Sequence, residues 1–265
     1  RHEVFLTNIF RVYRGKDYVW TVEDQERDEP ELLRELSKVH PKVIVSLGRY
    51  ATRYFLGDVD MDAVQGLPLF INNERWGPGE QMVCFPIIHP AAGMHNPEMS
   101  PYVVSGFKAL SSFLDGKLDA RILFDDPIKE PKYEEITSKT QLQSRLRGLQ
   151  TGAPLSLDTE GWPGRPWSLQ FSFEPGTGYL IRATAHSLLR QFSDTVRRVR
   201  PQLLYHSALH DLGMSRSLGV DLDGLAFDDT MIQAYLLQIE PQGLKAGCLR
   251  HCNMKMSDYA DIVGD

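Results

Sequence analysis

The pattern of apolar and polar positions divides the chain into two differently textured regions on either side of a polar stretch. The first opens on "EVFLTNIF", a strand-like run that reaches Asn8, and continues through a polar loop to Pro30. Pro30 stands near the start of an expected helix, where its missing N–H costs little. Leu32, Leu33, Leu36 and Val39 then share one helical face. "PKVIVSLG" reads as a strand covered on both faces, and "RYATRYFLG" as a short helix closed by Gly57. "QMVCFPIIHPAAG" reads as a buried strand entering a loop, and "YVVSGFKALSSFL" has helical periodicity. Strands alternating with helices predict an α/β layer fold.

Beyond "LFDDPIKEPKY", whose prolines and charges suggest a connection, the rhythm changes. "APLSLDTEG" predicts a strand with acidic residues at its end, and "PWSLQFSFE" a second with Leu169, Phe171 and Phe173 on one face. After the turn "PGTG", "YLIRA" completes a three-stranded meander. A helix over "SLLRQFSDTVRRVR", a buried strand over "QLLYHS" and a helix over "ALHDLGMSRSLG" follow. "LAFDDTMIQAYLLQ" ends the pattern with a helix capped by Asp229 or Thr230. The expected organisation is a domain over residues 1–122, a linker over 123–133 and a domain over 134–265.

Composition narrows the classes. The chain has 265 residues, 42% of them hydrophobic, enough to build ordinary cores in one or two domains. No apolar run reaches the roughly 18 residues of a membrane helix. Three cysteines make no disulfide framework and suggest a reducing compartment. The opening Arg1-His2-Glu3 reads as an internal cut from a longer protein. A net charge of −6 argues against a chain-wide grip on nucleic acid, but not against a nuclease whose metals supply the positive charge.

Asp158 and Glu160 are two apart on an expected strand, so both face one side. Converging carboxylates are costly unless a cation compensates them. Oxygen ligands suit magnesium or manganese, and two such ions can clamp the attacking and leaving oxygens of a phosphodiester. Taken alone the pair also fits a solvated turn after an edge strand, and Asp211 fits a helix-surface or capping aspartate. Cys248, His251 and Cys252 lack the paired spacing of a zinc site. Arg190, Arg197, Arg198 and Arg200 could touch phosphate, although a solvated helix face is the commoner outcome for such a run.

The order of acidic strand, hairpin, helix, strand and aspartate-bearing helix resembles the ribonuclease H-like 3′→5′ exonuclease domain of DNA polymerase I. The resemblance implies that Asp158 bridges two divalent metal ions, that Glu160 holds one and orients water, and that Asp211 completes the shell of the second metal. Ser207 stands where that family carries asparagine, and His210 where an aromatic is often found. "FDDTMIQAYLL" is similar to the family's next helix. Tyr259, followed four places on by Val263, lacks the family's fourth carboxylate, so the segment alone is expected to be a defective nuclease.

In the first region Asn8 has the donors and acceptor to read a flipped pyrimidine, and His89 could donate to a departing base. With "PKVIVSLGRYATRYFLG" between them, they resemble the later two-thirds of an iron–sulfur type uracil-DNA glycosylase. The resemblance makes Asn8 the uracil reader, His89 the leaving-group stabiliser and Met94 a duplex wedge. Val12 and Asp28 stand where that family places cluster cysteines, so no iron–sulfur cluster is expected.

Together the two resemblances imply a truncated three-layer glycosylase-like domain followed by a truncated mixed-sheet exonuclease domain, as in some bacteriophage replicative polymerases. The implied activity is proofreading hydrolysis of DNA 3′ ends. The implied partners are primer–template DNA and other replication proteins, with no membrane, and the implied location is the cytoplasm of an infected cell. The alternatives are a free-standing ribonuclease D-like exonuclease and an inert DNA-binding adaptor.

Overall fold

The structure, a computed structural model, describes residues 4–15, 18–71, 82–125, 128–162, 164–237 and 242–256. The expectations resting on Arg1-His2-Glu3, Tyr259 and Val263 lie outside the described residues. Two compact units form: Arg1–Asp125 together with Lys245–Asp265, and Asp126–Leu244.

In the first unit the run from Val4 to Asn8 forms no strand. Val4, Phe5 and Leu6 are exposed, and no described strand pairs with them. Strand propensity needs a neighbour to act on. Helix α1, Val22–Val39, starts eight residues before Pro30 and carries that proline inside it. Thr21 caps it, accepting from the Asp24 N–H while the Asp24 carboxylate accepts from Thr21. Its buried stripe is Asp24, Asp28, Leu32 and Leu36. Two of those four are acids, so apolar periodicity reveals only the second half of the helix.

The chain continues through β1 (Val43–Leu47), α2 (Arg49–Leu56), α3 (Met61–Val64), β2 (Leu69–Ile71), β3 (Met82–Ile87), α4 (Pro90–His95), α5 (Ser100–Leu114) and β4 (Arg121–Ile122). The sheet order is β1-β3-β2-β4, with β1 parallel to β3. All six residues of β3 are buried. Cys84 packs towards Phe55 and Leu56 of α2, while Phe85 meets Phe113 of α5 with ring centroids 5.8 Å apart. Successive strand residues point to opposite faces, so helices cover both faces and the unit has three layers. β1 is an edge of this sheet and leaves Val45 exposed, which corrects the two-sided burial expected for it.

The second unit contains β5 (Lys132–Glu135), α6 (Lys139–Leu146), β6 (Pro154–Trp162), β7 (Arg165–Ser172), β8 (Thr177–Arg182), α7 (His186–Val199), β9 (Gln202–Tyr205), α8 (Ala208–Ser217), β10 (Phe227–Asp229) and α9 (Thr230–Leu237). Its sheet order is β10-β9-β6-β7-β8-β5. β6, β7 and β8 form the expected antiparallel meander, and β9 and β10 add parallel to β6. Leu155, Leu157, Leu169, Phe171 and Ile181 line one face and meet Leu188, Leu189, Phe192 and Val196 of α7.

Two boundaries differ from expectation. β5 occupies part of the stretch expected to be linker and pairs with β8. Its ties are polar, Glu134 to Arg145 and Glu135 to Arg182, so it has no apolar alternation to read. Residues from Lys245 onward, expected in the second domain, group with the first unit through α10 (Leu244–Gly247) and the π-helical turn Cys248–Cys252. Ala246 and Leu249 pack on Ala63, Val64 and Leu69, and the Arg250 guanidinium donates to the Gln65 carbonyl at 2.7 Å. Periodicity identifies an apolar face without saying which core receives it.

Candidate functional site

The acidic residues expected to do chemistry gather on β6, the central strand of the second sheet. Leu155, Leu157 and Thr159 are buried on its core side, which turns Asp158 and Glu160 to the other face. In register beside them on β7 stand Gln170 and Ser168. The β6–β7 ladder shifts between Glu160 and Gly161. Gly161 has φ +136°, and a Cβ there would lie 2.6 Å from the Arg165 carbonyl, so only glycine fits this bulge.

β9 accompanies β6 only as far as Ser156, opposite Leu204. Past that point α8 takes over, and Asp211 closes the vacated edge. Its Oδ1 accepts from the Thr159 N–H at 3.0 Å and from the Thr159 hydroxyl at 2.7 Å. A carboxylate from α8 is thereby anchored to the residue between Asp158 and Glu160.

Asp158 feels the charge of Asp211, and Glu160 that of Asp158. Partial desolvation, and then the charge of Asp211, push the Asp158 carboxyl above its ordinary range. Glu160 is raised by desolvation and by Asp158. Asp211 is raised chiefly by burial, with the Thr159 hydrogen bonds opposing. His210 offsets the effect at all three. Among the described residues no three His, Cys, Asp or Glu side chains stand close enough together to hold one metal ion as they are placed. In donor type and charge, however, Asp158, Glu160 and Asp211 suit a hard divalent cation.

From the sequence, Asp229 is expected only as a candidate cap, alongside Thr230. It is one, accepting from the Met231 and Ile232 N–H groups at 2.9 and 3.4 Å, and it also accepts from Ser207 and Ala208 at 3.2 and 2.7 Å. One buried carboxylate therefore holds the starts of both α8 and α9. Thr230 donates to the Tyr205 carbonyl at 3.0 Å and meets His206 Nδ1 at 2.9 Å. A hydroxyl has one proton, so His206 is the donor in the second contact. Ser207 sits at φ 85°, ψ 56°, the left-handed region where asparagine is enriched. Ser207→Asn is expected to stabilise the second unit by roughly 0.5–1 kcal/mol. A urea midpoint that falls would overturn this.

In the first unit the parallel strands β1 and β3 end side by side. The Gly48 N–H donates to the Ile87 carbonyl at 2.8 Å, and a Cβ at Gly48 (φ +84°) would lie 3.0 Å from the His89 Cβ. His89 caps α4, its Nδ1 accepting from Ala91 at 3.1 Å. In the neutral ring the proton then resides on Nε2, which makes that nitrogen a donor. Met94, on α4, is 83% exposed. Asn8 is exposed and forms no hydrogen bond among the described residues, to His89 or otherwise. Phe10 packs edge-on against Tyr50 with centroids 6.1 Å apart, so the neighbours of Asn8 and His89 meet near the C-terminal end of β1. Ligands favour that end of parallel strands.

Residues 1–111 match the Uracil DNA glycosylase superfamily. The type-4 uracil-DNA glycosylase of Archaeoglobus fulgidus is 29% identical over 122 residues, covering 44% of this chain and 59% of that protein. That of Saccharolobus solfataricus is 27% identical over 123 residues, covering 44% of this chain and 55% of that protein. The chain thus spans little more than half the length of these relatives. Among solved structures, the catalytic core of RRP6 from Trypanosoma brucei is similar with a TM-score of 0.43 and 14% identity, covering 55% of this chain and 41% of that one. Escherichia coli RNase D, an exoribonuclease, gives a TM-score of 0.37 and 18% identity, covering 49% of this chain and 36% of that one.

At the positions where the resemblance put cluster cysteines, Val12 has no metal-binding group and Asp28 is committed elsewhere. The Asp28 carboxylate accepts from the Arg27 guanidinium at 2.7 and 2.8 Å and from the Arg11 N–H at 2.8 Å. Arg11 also pairs with Glu35 at 2.6 Å. Of the cysteines, Cys84 is buried in β3, and Cys248 and Cys252 follow α10. Ion pairs tie the irregular segment to α1 instead. The Arg27 and Arg11 hydrogen bonds hold Asp28 down at about 2, against an ordinary 3.8. A depressed folded value gives stability that is present above pH 3.8 and lost as pH falls through about 2. Trp20 stacks on Phe10 at 3.9 Å and reports on this segment. In a chain whose other tryptophans are phenylalanine, its emission should change across that window. Asp28→Asn should flatten the change, and an identical titration would count against the tie.

Proposed function

We propose that the second unit is the front part of a metal-dependent 3′→5′ DNA exonuclease that proofreads for a phage-type DNA polymerase, with the first unit as a glycosylase-like DNA-binding domain. The observation that carries the reading is the Asp211 carboxylate anchored to Thr159, between Asp158 and Glu160, with all three acids raised in proton affinity. Such repulsion is relieved when a divalent cation binds. Asp158, Glu160 and Asp211 would hold magnesium or manganese, which when bound supplies an activated water and charge neutralisation at the phosphate.

The chain's own residues have separable tasks. Thr159 orients Asp211, Gly161 allows the bulge after Glu160, and Asp229 fixes the start of α8. Leu209 is 91% exposed two residues before Asp211, and Trp162 is exposed two residues after Glu160. Both are apolar surfaces suited to stacking against separated bases. The choice of DNA rests on the similarity of residues 1–111 to the uracil-DNA glycosylases. His89 as donor and Met94 as wedge would let that unit engage a flipped base, with Asn8 as its reader.

The test is hydrolysis by the full-length protein of a 5′-labelled single strand, in magnesium and in EDTA. Stepwise shortening from the 3′ end with release of nucleoside monophosphates supports the reading. Equal or faster cleavage of the matched RNA favours a ribonuclease D-like enzyme, and metal-dependent binding without cleavage an inert adaptor.

A further inference from the structure

Between α6 and α7, on the outer surface of the second unit, runs a groove of about 560 Å³. Its lining includes Lys139, Arg190, Arg198, Gln143, Gln191 and Asp194. The three cations have no ion-pair partner among the described residues, whereas Asp194 is the one acid in the lining, so the groove reverses the sign of the −6 chain. The two other arginines of the same run do not line the groove. Arg197 pairs with Asp221 at 2.7 Å, and Arg200 turns left-handed at φ 58° to cap α7. Of these arginines, alike in sequence, the fold spends the Arg197 guanidinium on Asp221 and turns Arg190 and Arg198 to the groove. Gln191 also lines the groove, with its Oε1 turned inward and buried.

We infer that this groove is a second nucleic-acid site, which holds the phosphate backbone of a single DNA strand away from the carboxylates. Arg190 and Arg198 are eight residues apart, about 12 Å along a helix, so they can reach different phosphates of one extended strand. The groove belongs to the opposite side of the sheet from Asp158 and Glu160, because Phe171, the residue paired with Leu157 on the core face, packs on Phe192 of α7 at 4.9 Å. A strand bound there is tethered rather than cleaved, which raises the local concentration of its 3′ end. That DNA is the anion rests on the proposed exonuclease reading; the groove's preference for phosphate rests on its own side chains.

The experiment measures binding of a fluorescein-labelled 12-nucleotide oligothymidylate to the full chain in EDTA, across a salt series, so that no cleavage is required. Arg190→Gln with Arg198→Gln should reduce the slope of log affinity against log salt by roughly 1.4, about 0.7 for each phosphate of the single strand that is no longer neutralised. Arg190→Lys with Arg198→Lys keeps the charge and should restore the slope. Arg182→Gln, whose guanidinium is already paired with Glu135, should leave it unchanged. An unaltered slope in the double glutamine variant, with circular dichroism showing an intact fold, overturns the groove site. A reduced slope in a protein that never cleaves DNA keeps the groove and sinks the nuclease reading, and cleavage with an unaltered slope does the reverse.

Discussion

Asp158→Asn is expected to remove metal-dependent release of nucleotides from DNA 3′ ends, by roughly a thousandfold or more, since a metal's electrostatic stabilisation amounts to several kcal/mol. The same substitution should raise the thermal midpoint of the second unit in EDTA. Asp158 is held above its ordinary range by desolvation and by Asp211, and it raises Glu160 in turn, so its negative charge works against the fold until a cation arrives. The sign with pH follows. A carboxylate whose folded value is raised destabilises the folded state above that value, and the penalty fades as pH falls towards the ordinary 3.8. The metal-free second unit should therefore gain from mild acidification, opposite to the acid loss expected at Asp28. Magnesium or manganese should raise the wild-type midpoint and do so less in the asparagine variant. Calorimetry with and without metal checks both signs. Unchanged cleavage, or a midpoint that falls in EDTA, would remove Asp158 from the role given to it.

Asp229→Ala should be as damaging to activity although this residue is assigned no contact with substrate. Burial pushes its carboxyl up, but the N–H groups of Ala208, Ser207, Met231 and Ile232 outweigh that and hold it below its usual range. Alanine would leave these four donors without their acceptor at the starts of α8 and α9. The cost should be roughly 3 kcal/mol, a lost cap together with buried hydrogen bonds. Because α8 carries Asp211, the site should loosen with the fold. Asparagine is as good a cap as aspartate, so Asp229→Asn should recover most of both stability and cleavage. Denaturant midpoints of the three proteins test this, and an alanine variant as stable as wild type would refute it.

Legibility from sequence tracked the distance over which each feature is decided. The meander of β6, β7 and β8 was readable because Leu155, Leu157, Leu169 and Phe171 alternate with polar residues, and alternation is a local property. α2, with Gly57 after it, and the capping of α9 were readable for the same reason. The first half of α1 was not, because its inward positions are Asp24 and Asp28, buried through arginine partners that the sequence does not announce. Nor was β5, whose polar residues are held by Arg145 and Arg182 from later in the chain. Among the described residues no helix is long and apolar enough to cross a membrane, in line with the absence of a long apolar run.

By itself the sequence determined the α/β class, the shared face of Asp158 and Glu160 and a helix cap at Asp229 or Thr230, since each follows from residue type and a period of a few residues. Only tertiary structure decided that Asp211 lands on Thr159, that Arg190 and Arg198 are freed while Arg197 is spent on Asp221, and that residues after Lys245 join the first unit. Those outcomes depend on which surfaces meet across twenty residues or more, where packing and charge pairing select one partner from several that are locally equivalent.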